Sequence, residues 1–234
     1  MPEMDPAKRM FHIRDDFAKR SSSYEADIVN IVPNYLYMLE AAVGSIPFDV
    51  SAAIKTVDLG TGTGSLAIRV KDRFPNCHLL CVDMTEGMLN MARERFSGLD
   101  GIEFLQKDFY ELALPPERDL VVSSLALRHL ITDDDKRTFY RKICECLRPE
   151  GVFVNADAVL SADDDIEALY ERKWRKFMLD NLNEKEVDDA FERYRREDSL
   201  PYLHDELKWL SEAGFSKVDV IWKDHMGAVR WARK

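Results

Sequence analysis

The stretch Val57–Val70, VDLGTGTGSLAIRV, decides the fold. It joins an apolar run containing Asp58 to three glycines at alternate positions, and then to a segment with helical apolar spacing. Gly60, Gly62 and Gly64 allow a sharp turn after a strand and a close approach of the backbone to a ligand. The helix that follows would present free N–H groups to an acceptor on that ligand. The stretch therefore predicts a nucleotide-type binding loop between a first strand and its helix.

Strand-like and helix-like segments alternate after this loop. The predicted strands before residue 161 are 53–59, 77–83, 102–108, 119–125 and 152–160. The predicted helices between them are 65–74, 86–96 and 134–147. Strands separated by helices pair in parallel through right-handed crossovers, which cover both faces of the sheet.

The chain ends with a predicted helix at 203–212 and two strands at 218–222 and 228–232. The link between these strands is too short for a crossover, so they should pair antiparallel. The fold class predicted is therefore α/β, with a doubly wound, mostly parallel seven-stranded sheet that ends in a C-terminal antiparallel β-hairpin.

Two more helical segments accompany this core. Residues 26–43 carry helical apolar spacing, interrupted by Pro33, which should kink or restart the helix. Residues 161–200 are strongly charged but keep helical apolar spacing, which predicts a helical insertion before the sixth strand. We predict one domain over 1–234: an N-terminal helical lid (1–50), an α/β core (53–160 and 201–234) and the insertion (161–200).

Composition limits the classes of partner. The 234 residues, 46% of them hydrophobic, suffice for one α/β domain, and the net charge of −10 disfavours attraction to a nucleic-acid backbone. A small-molecule partner is therefore expected. No apolar run approaches the roughly 20 residues of a membrane helix, so no membrane partner is expected. The four cysteines lack metal-ligand spacing, which predicts buried thiols, no metal site and a cytoplasmic location.

The glycine spacing argues against two common nucleotide loops. Counted from Gly60, the dinucleotide pattern G-x-G-x-x-G/A needs glycine or alanine where Ser65 stands, and no Gly-Lys-Ser/Thr of a P-loop follows. A carboxylate at Asp58, directly before the loop, favours a cofactor that carries an ammonium or sulfonium cation. S-adenosyl-L-methionine (SAM) is such a cofactor, whereas an NAD-dependent oxidoreductase is disfavoured.

Two more acidic residues end predicted strands at the same edge of the sheet. Asp83 lies 21 positions after Gly62 and can accept ribose hydroxyls. The alternative is a cap for the next helix, which Thr85 could also provide. Asp108 with Phe109 suits the exocyclic amine and the ring of adenine, and the alternative for Asp108 is an ordinary turn.

Five motifs between residues 53 and 160 resemble the motif series of class I SAM-dependent methyltransferases. They are Asp58-Leu59-Gly60-Thr61-Gly62-Thr63-Gly64, Val82-Asp83-Met84, Gln106-Lys107-Asp108-Phe109, Asp119-Leu120-Val121-Val122 and Leu147-Arg148-Pro149-Glu150-Gly151. The resemblance implies methyl transfer and a SAM site formed by Asp58, Gly60, Thr61, Gly62, Gly64, Asp83, Met84, Asp108 and Phe109.

A narrower resemblance covers Ile31-Val32-Pro33-Asn34-Tyr35, which is similar to the Val-Pro-Gly-Tyr entry helix of carboxy-SAM synthases and of methyltransferases that act on the wobble uridine of tRNA. It implies that Tyr35 contacts the cofactor, as does Ser124, which stands where the synthase has an asparagine. Asn34 replaces the glycine. The synthase's carboxylate-binding arginine has three candidate counterparts: Arg193, Arg195 and Arg196. These departures favour ordinary methyl transfer.

Methyl transfer from a sulfonium requires that the acceptor is held close and aligned, with water excluded. A general base is needed only if the acceptor must lose a proton early. His129, after the fourth strand, is the candidate base, and a surface or helix-capping histidine is the alternative. Aromatic and methionine side chains of the lid and insertion are candidate covers, or else plain core: Phe11, Phe17, Tyr24, Tyr35, Trp174, Phe177 and Met178.

The sequence therefore favours a SAM-dependent methyltransferase that acts on a small molecule, with a homodimer allowed for. Three alternatives stay open. They are modification of a tRNA wobble uridine, a carboxy-SAM-related reaction, and a non-catalytic SAM-binding interaction module.

Overall fold

The computed structural model describes residues 6–234, and for side chains residues 9–234. Seven strands form one sheet in the order β3-β2-β1-β4-β5-β7-β6. The strands are β1 (Lys55–Leu59), β2 (His78–Asp83), β3 (Ile102–Gln106), β4 (Arg118–Ser124), β5 (Leu147–Ala158), β6 (Lys217–Asp224) and β7 (Gly227–Arg233). Pairs among β1–β5 are parallel, whereas β7 pairs antiparallel with β5 and with β6. The predicted fold class is confirmed.

The described residues also form nine α-helices and a short 3₁₀ turn at Leu127–His129. The helices of the predicted lid are α1 (Pro6–Arg20), α2 (Tyr24–Ile31) and α3 (Tyr35–Gly44). Those of the core are α4 (Ser65–Arg73), α5 (Glu86–Arg95), α6 (Asp133–Cys146) and α9 (Leu203–Glu212), and those of the insertion are α7 (Asp164–Leu179) and α8 (Glu184–Glu197). The first five residues of the predicted lid lie outside the described residues.

Local sequence signals set several helix boundaries. Asn183 begins α8 with a capping box, because its side chain accepts the N–H of Glu186 while the Glu186 side chain accepts the N–H of Asn183. Asp163 caps α7 through two backbone N–H groups. Between α2 and α3, Pro33 ends the helix as expected, and Asn34 adopts φ +53°. Asparagine tolerates this left-handed conformation better than most residues, which explains how it can replace glycine there.

The largest differences from the predicted strand boundaries are in β5 and in the C-terminal hairpin. β5 begins at Leu147 rather than at residue 152, because Leu147 is buried and pairs with Arg118 before an irregularity in the register. The strands of the hairpin are longer than predicted, so the turn between them shrinks to His225 and Met226, with His225 at φ +48°.

Buried apolar side chains form three clusters. Two lie with the sheet: one includes Leu39 of α3 and Leu66 of α4, and the other includes Phe139 of α6 and Trp209 of α9. The third cluster belongs to the insertion and consists of Trp174, Met178, Val187, Ala190 and Phe191. The insertion therefore has a small core of its own.

The strand order reverses between β1 and β4. In open α/β sheets ligands bind outside the carboxyl ends of the strands at this position. The glycine loop follows β1 and the segment Ser124-Leu125-Ala126 ends β4 and follows it, so both lie at this point.

Candidate functional site

Two cavities meet at the carboxyl ends of β1 and β4. The first contains about 540 Å³ of empty space, part of which is open to solvent, and is called here the glycine-loop cavity, since Gly60 and Gly62 form part of its wall. Six predicted cofactor contacts and the predicted base line it: Gly60, Gly62, Asp83, Met84, Phe109, Ser124 and His129. The structure thus brings together residues that follow β1, β2, β3 and β4.

The three glycines of the loop are required for different structural reasons. A Cβ at Gly60 would collide with the Cβ of Ala126, so glycine lets the loops after β1 and β4 approach each other. A Cβ at Gly62, where φ is +54°, would meet no atom within 4 Å and would stand in the open cavity. Gly64, at φ +86°, starts α4 and packs beside Phe96, away from the cavity. Only Gly60 and Gly62 can approach a ligand.

Asp83 fixes the loop and also faces the cavity. Its Oδ2 accepts the N–H of Gly62 at 2.9 Å, and its Oδ1 accepts the N–H and the hydroxyl of Thr85 at 2.9 and 2.8 Å. Burial raises the pKa of this carboxyl group, although these donors partly offset the effect. A carboxylate has about four acceptor positions, so Oδ2 keeps one for a ligand hydroxyl.

Asp58 lies behind the loop rather than in the cavity wall. It is almost fully buried, one oxygen accepts the hydroxyl of Thr61, and Oδ1 has no hydrogen-bond partner among the described residues. Burial raises the pKa of Asp58 to about 7. Its charge at neutral pH is therefore sensitive to a nearby cation.

Five predicted cofactor contacts do not line this cavity: Tyr35, Asp58, Thr61, Gly64 and Asp108. Tyr35 lies in the core beside Met38 and Leu39. The carboxylate of Asp108 accepts the N–H of Tyr110 at 2.9 Å, which is the ordinary turn weighed as the alternative. Their roles as cofactor contacts stay predictions.

Other lining residues were not predicted as cofactor contacts: Met10, Phe17, Tyr24, Met88, Lys107, Leu125 and Ala126. Most are apolar, and an apolar side chain in a helix or after a strand gives no signal that separates a cavity wall from the core. Lys107 belongs to the motif Gln106-Lys107-Asp108-Phe109, but its position in that motif does not indicate that its side chain lines a cavity.

The second cavity is larger and open, with a volume of about 1310 Å³. It is called here the lid cavity, since α1 and α2, the insertion, and the turn of the hairpin form its wall. Trp174 and Phe177 line it as predicted, together with Tyr194, whereas Phe11 is exposed and Met178 lies inside the insertion's core.

Two contacts join the segments around the lid cavity. The indole N–H of Trp174 donates to the carbonyl of Ile31 at 2.7 Å, which ties the insertion to α2. The side-chain amide of Asn34 donates to Asp224 at 2.7 Å, which ties the start of α3 to the hairpin. The wall of the cavity is therefore held together by contacts between segments far apart in the sequence.

Four residues line both cavities: Phe17, Tyr24, Leu125 and His129. The ring of Phe17 lies 5.9 Å from that of Tyr24 and 5.3 Å from that of His129. We call these four residues the junction. The two cavities meet at the junction, so a group transferred between their ligands is transferred there.

His129 is buried at the junction. Its Nδ1 lies 3.3 Å from the carbonyl oxygen of Glu197 and 3.3 Å from Oδ1 of Asp198, whereas Nε2 has no hydrogen-bond partner among the described residues. Burial, together with the charge of Arg128, lowers the pKa of His129 to about 3. The imidazole is therefore neutral at neutral pH. Two acceptors face Nδ1, which assigns the proton to Nδ1 and leaves Nε2 as an acceptor.

Within the described part of the chain, no group of three or more His, Cys, Asp or Glu side chains could hold a metal ion. The four cysteines are free and buried. No helix among residues 6–234 combines the length and the apolar character needed to cross a membrane.

The glycine-loop cavity suits a nucleoside cofactor that ends in a cation. Asp83 offers an acceptor for a ribose hydroxyl, Met84 and Phe109 offer apolar surface for a base, and the bare backbone at Gly62 leaves room that a side chain would fill. The buried carboxyl of Asp58 places negative charge behind the loop when it ionises. These residues fit SAM.

Comparison with known proteins gives the same cofactor. Residues 56–151 match the family described as methyltransferase domain. A carboxy-S-adenosyl-L-methionine synthase of Nautilia profundicola is 22% identical over 228 residues, which cover 93% of this chain and 92% of that protein. A malonyl-[acyl-carrier protein] O-methyltransferase of Marinomonas sp. is 30% identical over 149 residues, 63% of this chain but only 51% of that protein.

The fold agrees with these matches. The structure of human N-acetylserotonin methyltransferase in complex with SAM superposes with a TM-score of 0.67 at 23% identity, over 99% of this chain and 60% of that one. The expected cofactor and the expected enzyme class are confirmed, and a SAM-binding module without activity is not favoured. Residues 56–151 therefore form a methyltransferase domain, and the comparisons support a class I SAM-dependent methyltransferase near the carboxy-SAM synthase group, with SAM as its cofactor.

Proposed function

We propose that this enzyme methylates a small molecule that binds in the lid cavity, with the acceptor atom at the junction. The single observation that carries the proposal is that the two cavities share Phe17, Tyr24, Leu125 and His129 as walls. SAM held in the glycine-loop cavity supplies an electrophilic methyl group and leaves as a neutral thioether. The protein's task is to align the acceptor with that group and to exclude water.

The residues proposed to hold SAM are those that line the glycine-loop cavity. The backbone at Gly60 and Gly62 allows close approach, and Asp83 accepts a ribose hydroxyl. Met84 and Phe109 pack against the adenine ring, and Ser124 borders the cavity near the junction. Water is excluded mainly by Phe17 and Tyr24, which cover both cavities from the lid.

His129 is proposed to contact the acceptor as a catalytic residue. Because its pKa is about 3, the imidazole is too weak a base to remove a proton from a free hydroxyl or amine before methyl transfer. Its Nε2 can instead accept a hydrogen bond from the acceptor's O–H or N–H and so orient a lone pair towards the methyl group. The proton becomes far more acidic as the new bond forms, and Nε2 can take it then.

Several features support a small acceptor and ordinary methyl transfer. The net charge of −10 disfavours tRNA. Of the three arginines considered as carboxylate-binding counterparts, Arg195 lies 3.4 Å from Glu171 and Arg196 lies 2.6 Å from Glu197, whereas the third, Arg193, lines the lid cavity. Ser124 stands where carboxy-SAM synthases are expected to have asparagine. We therefore assign methyl transfer rather than carboxyl transfer.

The experiment that tests this function incubates the protein with methyl-labelled SAM and two fractions of a cell extract, deproteinised small molecules and total RNA. Label should enter the small-molecule fraction, and His129→Gln should lower the rate of transfer while SAM affinity stays within about twofold. Label in RNA alone, removed by RNase, would refute the small-molecule acceptor. No label in either fraction would refute turnover.

A further inference from the structure

Three polar side chains that line neither cavity join the lid to two helices of the core. Glu25 lies in the first turn of α2, Ser65 is the first residue of α4, and Arg95 is the last residue of α5. The hydroxyl of Ser65 donates to Oε1 of Glu25 at 3.2 Å, and the guanidinium of Arg95 donates to that hydroxyl at 3.3 Å and to Oε2 of Glu25. The three side chains thus form a closed ring of hydrogen bonds, which is called here the clamp.

The clamp begins directly at the end of the glycine loop. Ser65 follows Gly64, and a Cβ at Gly64 would meet the Cδ atom of Arg95 at 3.6 Å. Ser65 also stands where the dinucleotide pattern requires glycine or alanine, neither of which has a hydroxyl to donate. The residue that separates this loop from a dinucleotide loop is therefore one that binds the lid.

The clamp holds the end of α2 that carries Tyr24. Ser23, which precedes the helix, makes no side-chain cap, whereas Glu25 fixes the first turn to α4 and α5. The other end of α2 is tied to the insertion, because Trp174 donates to the carbonyl of Ile31. Successive side chains of an α-helix point about 100° apart. Glu25 can therefore face the core helices while Tyr24, one residue earlier, faces the junction.

We propose that Glu25, Ser65 and Arg95 are positioning residues that hold Tyr24 over the glycine-loop cavity and thereby slow the escape of SAM. None of the three lines either cavity, so none contacts the cofactor or the acceptor. They act through Tyr24, which together with Phe17 covers both cavities from the lid. The inference rests on the proposed placement of SAM in the glycine-loop cavity and does not depend on which acceptor is methylated.

The exposure of the clamp sets the size of its effect. The side chain of Glu25 is 52% exposed and that of Arg95 is 22% exposed, whereas Ser65 is buried. A partly exposed ion pair is screened by water, and its loss changes an equilibrium or a rate by about fivefold or less. The clamp therefore tunes the time for which SAM stays bound and is not required for the fold.

The test measures the dissociation rate of SAM from the immobilised full chain by surface plasmon resonance, so it needs neither an acceptor nor turnover. Glu25→Gln and Arg95→Gln should each raise this rate about threefold to fivefold, because the first turn of α2 is released. Arg93→Gln is the matched control and should leave the rate unchanged. It removes the same charge from the same helix, but Arg93 pairs with Glu86 at 2.6 Å within α5 and does not hold the lid.

A further pair of variants separates the positioning of Tyr24 from a general loosening of the protein. Tyr24→Ala removes the side chain through which the clamp acts, so it should raise the dissociation rate, and adding Glu25→Gln to it should raise the rate no further. Circular dichroism spectra of all variants should match that of the unmodified protein, which shows that each is folded.

An unchanged dissociation rate in Glu25→Gln would overturn the proposal. So would an equal increase in Arg93→Gln, a full additional increase when Glu25→Gln is added to Tyr24→Ala, or the loss of the native spectrum in Glu25→Gln. A failure of the SAM placement itself is distinct from these outcomes, because it would appear as unchanged SAM affinity in Gly62→Val.

Discussion

The two cavities are built in different ways. The glycine-loop cavity takes most of its wall from short motifs at the ends of neighbouring core strands, and two of its positions require backbone conformations or space that only glycine supplies. The lid cavity takes its wall from α1, α2, the insertion and the hairpin turn, which are far apart in the sequence. The cofactor site is thus set by local sequence, whereas the acceptor site is set by how separate segments pack.

The two cavities also differ in how firmly they are held. The glycine loop is fixed to the sheet by backbone and carboxylate hydrogen bonds, such as Thr61 N–H to the carbonyl of Val82 at 2.8 Å. The insertion has its own small core and reaches the rest of the protein through contacts such as Trp174 with Ile31 and Asp198 with Arg128. Substitutions should therefore separate the two cavities cleanly.

Gly62→Val should give the largest effect, because its side chain would fill the space that the cofactor needs. SAM affinity should fall by more than about 100-fold, measured by calorimetry. Gly98→Val is the control, since Gly98 also has a positive φ, +82°, and open space around its Cβ position but lies outside both cavities. A similar loss of affinity in both variants would mean that backbone strain, not occupation of the cavity, is the cause.

Asp83→Ala should weaken SAM binding by about 1–3 kcal/mol, because a ribose hydroxyl loses its acceptor. Asp83 also accepts hydrogen bonds from the N–H of Gly62 and from the N–H and the hydroxyl of Thr85, so the structural effect of losing these bonds must be separated from the loss of the ribose contact. Asp49 makes the same pair of contacts with Ser51, at 2.8 and 2.6 Å, in an exposed turn away from the cavities. Asp49→Ala should leave SAM affinity unchanged, and equal affinity in Asp83→Ala and the unmodified protein would refute the ribose contact.

Much of the glycine-loop cavity could be predicted from the sequence, since the signals that form it are local. Alternating strands and helices fix a parallel sheet, and residues that follow its strands must meet at one edge. That reasoning brought Asp83, Met84 and Phe109 to the loop correctly. It could not tell which of the acidic residues near the strand ends face the cavity. Asp58 lies behind the loop and accepts the hydroxyl of Thr61, and Asp108 accepts the N–H of Tyr110.

Little of the lid cavity could be predicted, because its wall depends on helix rotation and on contacts between distant segments. Periodicity found the apolar faces of α7 and α8 but could not show that, of two residues in the insertion's core, Trp174 also lines the cavity and Met178 does not. The tyrosine expected at the site, Tyr35, lies in the main core, and Tyr24 lines both cavities instead. No sequence spacing links Trp174 with Ile31 or Asn34 with Asp224.

Trp174→Phe should loosen the lid cavity without affecting the glycine-loop cavity. The substitution leaves the carbonyl of Ile31 without its donor, at a cost of about 1.5 kcal/mol to the docking of the insertion. Hydrogen exchange of amides in α7 and α8 should become roughly tenfold faster, while that of β1 and SAM affinity stay constant. Trp209→Phe, in the core between α6 and α9, should not accelerate exchange in α7 and α8. Unchanged exchange there in Trp174→Phe would show that the insertion is held by other contacts.

The smallest expected effect concerns His129. It tests whether water is excluded from the junction. Burial lowers the pKa of this imidazole to about 3 in the folded protein, against about 6.5 in an unfolded chain. Below pH 6.5 the unfolded chain therefore binds a proton that the folded protein does not. The free energy of unfolding should fall as the pH drops from about 6.5 towards 3, and His129 should account for about 1 kcal/mol of the fall between pH 6.5 and 5.5.

Urea titrations at these two pH values should show a shallower fall for His129→Gln by that amount. His204→Gln, at an exposed position on α9, is the matched control and should keep the slope of the unmodified protein. An unchanged slope in His129→Gln would mean that water reaches the imidazole in the folded protein. The acceptor would then be aligned in a wet site, and the weak basicity assigned to Nε2 would no longer hold.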